Sequence, residues 1–172
     1  MEPNTRAIIR ANRAFLGRAV RFLAGEAGIR QFLDIGSGIS TEQNVHQIAQ
    51  ETAPGSRVVY VDNDEVAVAH SRLLLEDDPD ATIIQADLRE PAKILADPET
   101  QLLIDFTQPV ALLLVAVLHF IPDTADPAGI LATPMAARLP RRRPRGPAAV
   151  LGPGRRGPAR SRLATSRTGP PG

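Results

Sequence analysis

The chain has 172 residues, 43% of them apolar, no cysteine, and a formal net charge of +1. That length and apolar share suffice for one buried core, and the lack of cysteine excludes a disulfide framework or a cysteine metal site, so a cytoplasmic location is expected. The small net charge hides an asymmetry: residues 1–133 carry all nineteen carboxylates against ten Lys and Arg, a net of −9, whereas 134–172 carry ten arginines and no acid, a net of +10.

In chain order, Met1-Glu2-Pro3-Asn4 lacks the charged and apolar regions of a secretory signal. Residues 5–26 follow a helical pattern, with Ile8, Ile9, Ala11, Phe15, Val20 and Leu23 as expected inward positions. The run Phe32-Leu33-Asp34-Ile35-Gly36-Ser37-Gly38 predicts a strand at 31–35 that breaks into a glycine turn. A helix follows at 41–52, then a strand at 57–61 that ends in Asp62. Gly36 and Gly38 let the backbone turn sharply and approach a ligand, and the helix after them aims its free N–H groups at that point. Asp62 stands 24 residues after Gly38, near the spacing at which an acid accepts hydrogen bonds from ribose hydroxyls. Strand, glycine turn, helix and strand-end carboxylate together predict a nucleoside crevice at the strand ends.

A helix at 64–76, a strand at 82–85 leading to Asp87, and a broken helix across 91–104 continue the alternation. Asp87 at a strand end reads either as a ligand contact or as a helix N-cap. The longest apolar run, 110–118, is about nine residues, too short to span a bilayer, and reads as a strand buried on both faces. Alternating strands and helices predict an α/β fold with a parallel, Rossmann-like sheet. His119 and Asp123, just past that strand, lie where a substrate approaches such a sheet and are the candidate catalytic pair. An imidazole there can accept a proton, or else cap the strand or touch the cofactor. His46 and His70 fall on predicted helices and are expected to be solvated. The acidic cluster at 76–80 lacks the spacing of a calcium loop, and no metal is expected.

Nicotinamide dinucleotides and S-adenosyl-L-methionine both use this geometry, and two residues choose between them. The dinucleotide fingerprint G-x-G-x-x-G has Thr41 at its last position here. Asp34, two residues before the first glycine, would face two phosphates in a dinucleotide, but it suits the positive sulfonium and α-ammonium groups of a methyl donor.

At these residues the chain resembles the class I S-adenosylmethionine-dependent methyltransferases, whose first motif reads acidic-x-Gly-x-Gly, here Asp34-Ile35-Gly36-Ser37-Gly38. More narrowly it resembles the S-adenosyl methyltransferase family abundant in actinomycetes. The stretches that carry this are Ala11-Asn12-Arg13-Ala14-Phe15-Leu16, Gly28-Ile29-Arg30-Gln31-Phe32, Val59-Tyr60-Val61-Asp62-Asn63-Asp64, Gln85-Ala86-Asp87-Leu88-Arg89 and Val117-Leu118-His119-Phe120-Ile121-Pro122-Asp123. The likeness covers roughly residues 5–132. It implies S-adenosyl-L-methionine as cofactor, with Asp34, Gly36 and Gly38 around the methionine part, Asp62 at the ribose and Asp87 at the adenine amine; Asn63 and Leu88 complete the cofactor-binding set.

Residues 134–172 hold half of the sixteen prolines and little apolar material. Ordering each residue costs about 1–2 kcal/mol, and this segment has little to bury in return, so a disordered tail is expected. Its arginines suit non-specific, salt-sensitive contact with nucleic-acid phosphate. Its Arg, Pro, Gly and Ala content also suits a frame-shifted end read from GC-rich codons. The expected organisation is therefore a partial methyltransferase domain at 1–133, its sheet truncated after the fourth strand, and a tail at 134–172. Truncation would leave the 110–118 strand as an apolar edge that invites aggregation. The functions open at this point are a methyltransferase acting on an unnamed small-molecule or other acceptor, the same enzyme inactivated by truncation, or a non-catalytic adenosyl-binding or nucleic-acid-associated module.

Overall fold

Residues 3–38, 44–122, 126, 129–130, 132 and 150–151 are described by the computed structural model. Its elements are α1 (Pro3–Gly25), β1 (Gln31–Ile35), α2 (Val45–Thr52), β2 (Arg57–Asp62), α3 (Glu65–Leu75), β3 (Ala81–Gln85), α4 (Pro91–Ala96), α5 (Pro98–Leu103), β4 (Ala111–Leu113), a 3-10 turn (Leu118–Phe120) and β5 (Val150–Leu151). Local chemistry sets several boundaries. Asp64 caps α3 by accepting from the N–H groups of Val66 and Ala67, and Asp97 caps α5 in the same way through Glu99 and Thr100. Pro98 opens α5 and cannot continue α4, which accounts for the break foreseen across 91–104. Helix α2 starts at Val45, later than the expected 41, because Asn44 is its N-cap and donates its N–H to Gln47 Oε1 at 2.9 Å.

All strand pairings are parallel, in the order β3-β2-β1-β4-β5. Alternate residues feed two cores. Phe32, Val58, Tyr60, Ile83 and Leu113 pack with Val20 and Leu23 of α1, Ile48 of α2 and Val68 of α3 on one face. Leu33, Ile35, Val59, Val61, Ile84 and Leu112 pack with Leu88, Ile94 and Ile104 on the other. The strand order reverses between β1 and β4, and at such a switch point the carboxyl ends of the strands open a crevice. Among the described residues no helix is long and apolar enough to cross a membrane.

Three sequence expectations change. The apolar run 110–118 yields a strand of only Ala111–Leu113; beyond Leu114 the chain leaves the sheet, with Ala116 at φ 58°, a left-handed conformation unfavourable for a residue with a Cβ. The first half of α1 does not pack inward: Ile8 and Ile9 are 60% and 45% exposed and Ala11 is exposed, whereas Val20 and Leu23 are buried. His46 is buried rather than solvated, for reasons given below, while His70 is exposed as expected. The four expected strands are joined by β5, two residues long, which pairs Val150 with Leu112 and Leu151 with Leu113 on the side left as an edge by the sequence reading. The remainder of the expected tail after residue 132 lies outside the described residues.

Candidate cofactor-binding site

The crevice at the switch point has two compartments that meet at the glycine turn. One, of about 300 Å³, is walled by Ile9, Asn12, Arg13, Leu16 and Gly17 of α1, by Asn44 and Val45 at the start of α2, and by Asp34, Ser37, Tyr60 and Val115. The other, of about 510 Å³, is lined by Asp62, Asn63, 86–89, Val117 and 120–122. Gly36, Gly38 and Ala116 line both. Gly36 has φ +74°, and a Cβ there would collide with Val117; Gly38 has φ +66° with open space around it. At Gly36 conformation and room both demand glycine, whereas at Gly38 conformation alone does.

Three strand-end carboxylates stand on this crevice in different states. Asp34 of β1 is 5% exposed, and among the described residues no donor is hydrogen-bonded to its carboxylate. Burial first, and the charge of Asp62 second, push its pKa up to about 7. Asp62 ends β2, and its Oδ2 accepts the Gly38 N–H at 2.7 Å while its Oδ1 accepts the Asp64 N–H at 3.0 Å. The carboxylate thereby ties β2 to the glycine turn. It still has acceptor positions to spare, since an ionised carboxylate offers about four. Asp87, just after β3, is gripped by the residue two places on: its Oδ1 accepts the Arg89 backbone N–H at 2.8 Å, and the guanidinium Nε lies 3.0 and 2.9 Å from its two oxygens. Those bonds hold Asp87 below the usual carboxylate range.

Leu88 is buried and gives the second compartment an apolar side, and Asn63 follows Asp62 on its rim. Every cofactor residue expected from the sequence therefore lines the crevice. The catalytic pair is not brought in the same way. His119 is exposed in the 3-10 turn, stacks on Phe120 with ring centroids 4.0 Å apart, and lines neither compartment, although Phe120 does. Asp123 lies outside the described residues, as does Thr41.

Sequence reading missed the Tyr60–His46 pair. Asp34 and Tyr60 are register partners on β1 and β2, so both face the first compartment. The Tyr60 hydroxyl accepts the His46 backbone N–H at 2.8 Å and lies 2.9 Å from His46 Nδ1. A hydroxyl donates to a bare Nδ1 or accepts from Nδ1–H, so this contact suits a neutral imidazole in either tautomer. Burial lowers the His46 pKa and raises that of Tyr60, and both effects favour this neutral arrangement. A two-residue alternation back from Asp62 was the available signal for Tyr60. The signal for Arg13 and its neighbours was their spacing on one side of α1, which does not reveal whether that side meets a core or a cavity.

A family model for S-adenosyl methyltransferases matches residues 1–163. The chain belongs to that family. The match runs past residue 132, where the resemblance read from motifs stops. Members use S-adenosyl-L-methionine, and the buried carboxylate of Asp34, to which none of the described residues donates, beside the acceptor carboxylate of Asp62 fits such a ligand. The structure is similar to that of a candidate methyltransferase from Thermobifida fusca YX, with 43% identity and TM-score 0.76, over 80% of this chain and 52% of that one. It is also similar to a DUF574 family protein from Streptomyces avermitilis MA-4680, with 49% identity and TM-score 0.71, over 74% of this chain and 50% of that one. The chain thus spans about half the length of these two relatives. No curated protein matches it.

Proposed function

We propose that this chain binds S-adenosyl-L-methionine across the glycine turn and presents it to a methyl acceptor, a small molecule or a macromolecule, in the cytoplasm. One observation carries the reading: a buried carboxylate to which none of the described residues donates faces one compartment, and a strand-end carboxylate with acceptor capacity faces the adjoining one. A cationic amino acid joined to a ribose answers both. In a dinucleotide the same Asp34 would meet phosphate charge, at a position where burial already disfavours its own ionisation.

The bound donor supplies a methyl group activated by sulfonium charge for in-line displacement. The chain contributes alignment and exclusion of water. Asp34 orients the amino-acid end, Asp62 and Asn63 the ribose, and Asp87 with Leu88 the base. A proton acceptor is needed only when the acceptor atom carries a proton to lose, and in this reading His119, beside the compartment lined by Phe120, takes it. Among the described residues, those that line the crevice fall between Ile9 and Pro122, which supports a cofactor unit within residues 1–133. Ten arginines without a carboxylate in 134–172 support an accessory, salt-sensitive contact with nucleic-acid phosphate.

Calorimetric titration of S-adenosylhomocysteine into the chain, with Asp62→Ala beside it, tests the proposal. Saturable binding that Asp62→Ala weakens about tenfold or more, the worth of a hydrogen bond to a charged group, is the expected result. Absence of binding heat together with enhancement of NADH fluorescence on mixing would overturn it.

A further inference from the structure

We propose that the outward face of α1 seats the protein on an anionic lipid surface, with the helix lying along the bilayer and its apolar side chains entering the headgroup region. The residues involved lie on the side of α1 that faces away from the crevice.

Helix α1 has two apolar faces. On one, Leu16, Val20, Leu23 and Ala24 pack into the core. On the other, Ile8, Phe15 and Phe22 recur every seven residues along the side turned away from that core, with Ala11 between the first two. Ile8 is 60% and Phe22 53% exposed, Ala11 is exposed and Phe15 is half-buried. At 1.5 Å per residue the stripe runs about 20 Å along the helix axis. Charge decides what covers it. The sequence of α1 holds five arginines and no acid, and Arg10, Arg18 and Arg21 are exposed along one border of the stripe. Residues 26–133 carry eighteen carboxylates against five Lys and Arg, a net of −13. A negative surface therefore draws this helix and repels the rest of the domain, which selects one orientation. A phosphate polymer answers the arginines but leaves Ile8, Phe15 and Phe22 in water. The α1 helices of two copies, set face to face, bury the stripe but bring their arginines together. A bilayer with anionic headgroups answers both: the apolar side chains enter it while the guanidinium groups stay with the phosphates.

The chain has no tryptophan, so a single one introduced into it reports its own surroundings. Phe22→Trp puts the reporter on the stripe. Leu102→Trp is the control, on α5 across the sheet, where Leu102 is 79% exposed. Each full-length variant is mixed with vesicles of phosphatidylcholine and phosphatidylglycerol, and with vesicles of phosphatidylcholine alone. On the anionic vesicles the emission of Phe22→Trp should shift to the blue and be quenched by brominated acyl chains, whereas that of Leu102→Trp should not change. Co-sedimentation with the same vesicles measures affinity. Ile8→Ser combined with Phe22→Ser should weaken binding about tenfold or more, and Arg10→Gln combined with Arg18→Gln about thirtyfold. All four positions are exposed, and the two emission readings carry the comparison if either double variant fails to fold. Equal shifts in both reporters would overturn the proposal. So would binding that survives Ile8→Ser with Phe22→Ser and disappears in high salt, which would assign it to the arginines of 134–172. Without vesicle binding, a duplex affinity lost in Arg10→Gln with Arg18→Gln would make the face a nucleic-acid contact. Self-association lost in Ile8→Ser with Phe22→Ser would make it an interface between copies. Either result, or no vesicle binding at all, overturns the proposal.

Discussion

Asp34 and Asp87 are the same residue type, each near the carboxyl end of a parallel strand and each on the crevice, yet the fold treats them in opposite ways. Asp34 is enclosed beneath the glycine turn with another carboxylate nearby, and its proton is held up to about pH 7. Asp87 sits on a partly open loop in the grip of Arg89 and loses its proton more readily than a free carboxyl. The difference separates the work of the two compartments. On the proposed reading one carboxylate receives its cation from the ligand, whereas the other has its cation built in and is fixed in place.

The contrast breaks most completely at the shared wall. Gly36→Ala puts a Cβ where Val117 stands, at a φ that disfavours L-residues, and should cost about 2–5 kcal/mol from conformation and overpacking together. Urea denaturation should show that loss, and calorimetry should find no binding of S-adenosylhomocysteine.

Asp34→Asn removes one side of the comparison and should weaken S-adenosylhomocysteine about tenfold, the worth of a charge-assisted hydrogen bond. Its pH signature is sharper still. The folded carboxyl holds its proton to about 7, whereas the unfolded one releases it near 3.8. Stability from this group is therefore complete below pH 3.8, declines as pH rises, and is gone above about 7. A cationic ligand needs the ionised form, so affinity should climb with pH up to about 7 and then level off. Denaturation and titration across that range should show both trends in wild type and neither in Asp34→Asn.

Tyr60→Phe leaves the aromatic wall in place but orphans the His46 N–H and Nδ1, for a loss of about 1–3 kcal/mol. Thermal unfolding should register the loss, while ligand affinity should change little. The mildest effect is expected from Arg89→Gln, because the pair is partly exposed: no more than about fivefold in affinity at neutral pH. With Asp87 back toward its ordinary range, a second loss of affinity in the acidic carboxylate range, below the one set by Asp34, should begin at a higher pH than with Arg89 present, and titrations in a pH series in the Asp34→Asn background would reveal it.

The glycine turn and its carboxylates are legible in the sequence because they are local: Asp34, Gly36 and Gly38 lie within one turn, and Asp62 and Asp87 each end an apolar strand. What stays hidden depends on where an element comes to rest. An amphipathic pattern at 5–26 assigns inward positions without saying what lies inward, so it gives Ile8 and Ile9 to a core that begins only at Leu16 and Gly17. The run 110–118 is apolar throughout, and apolarity does not distinguish the three residues that pair in the sheet from the four at 115–118 that turn aside toward the crevice or pack beside it. His46 is polar on a helix, a pattern that suggests solvent until Tyr60 is placed beneath it.

Among the described residues, the partition between the compartments is made of Gly36, Gly38 and Ala116, two residues without a side chain and one with a single methyl. A molecule that reaches both sides is gripped at its ends and passes over little more than main chain in the middle. Its hold on the protein is therefore that of a bivalent ligand on a short tether, in which seating one half raises the effective concentration of the other. Cut at the bridging atom, the two halves would forfeit most of their joint affinity without losing a single contact.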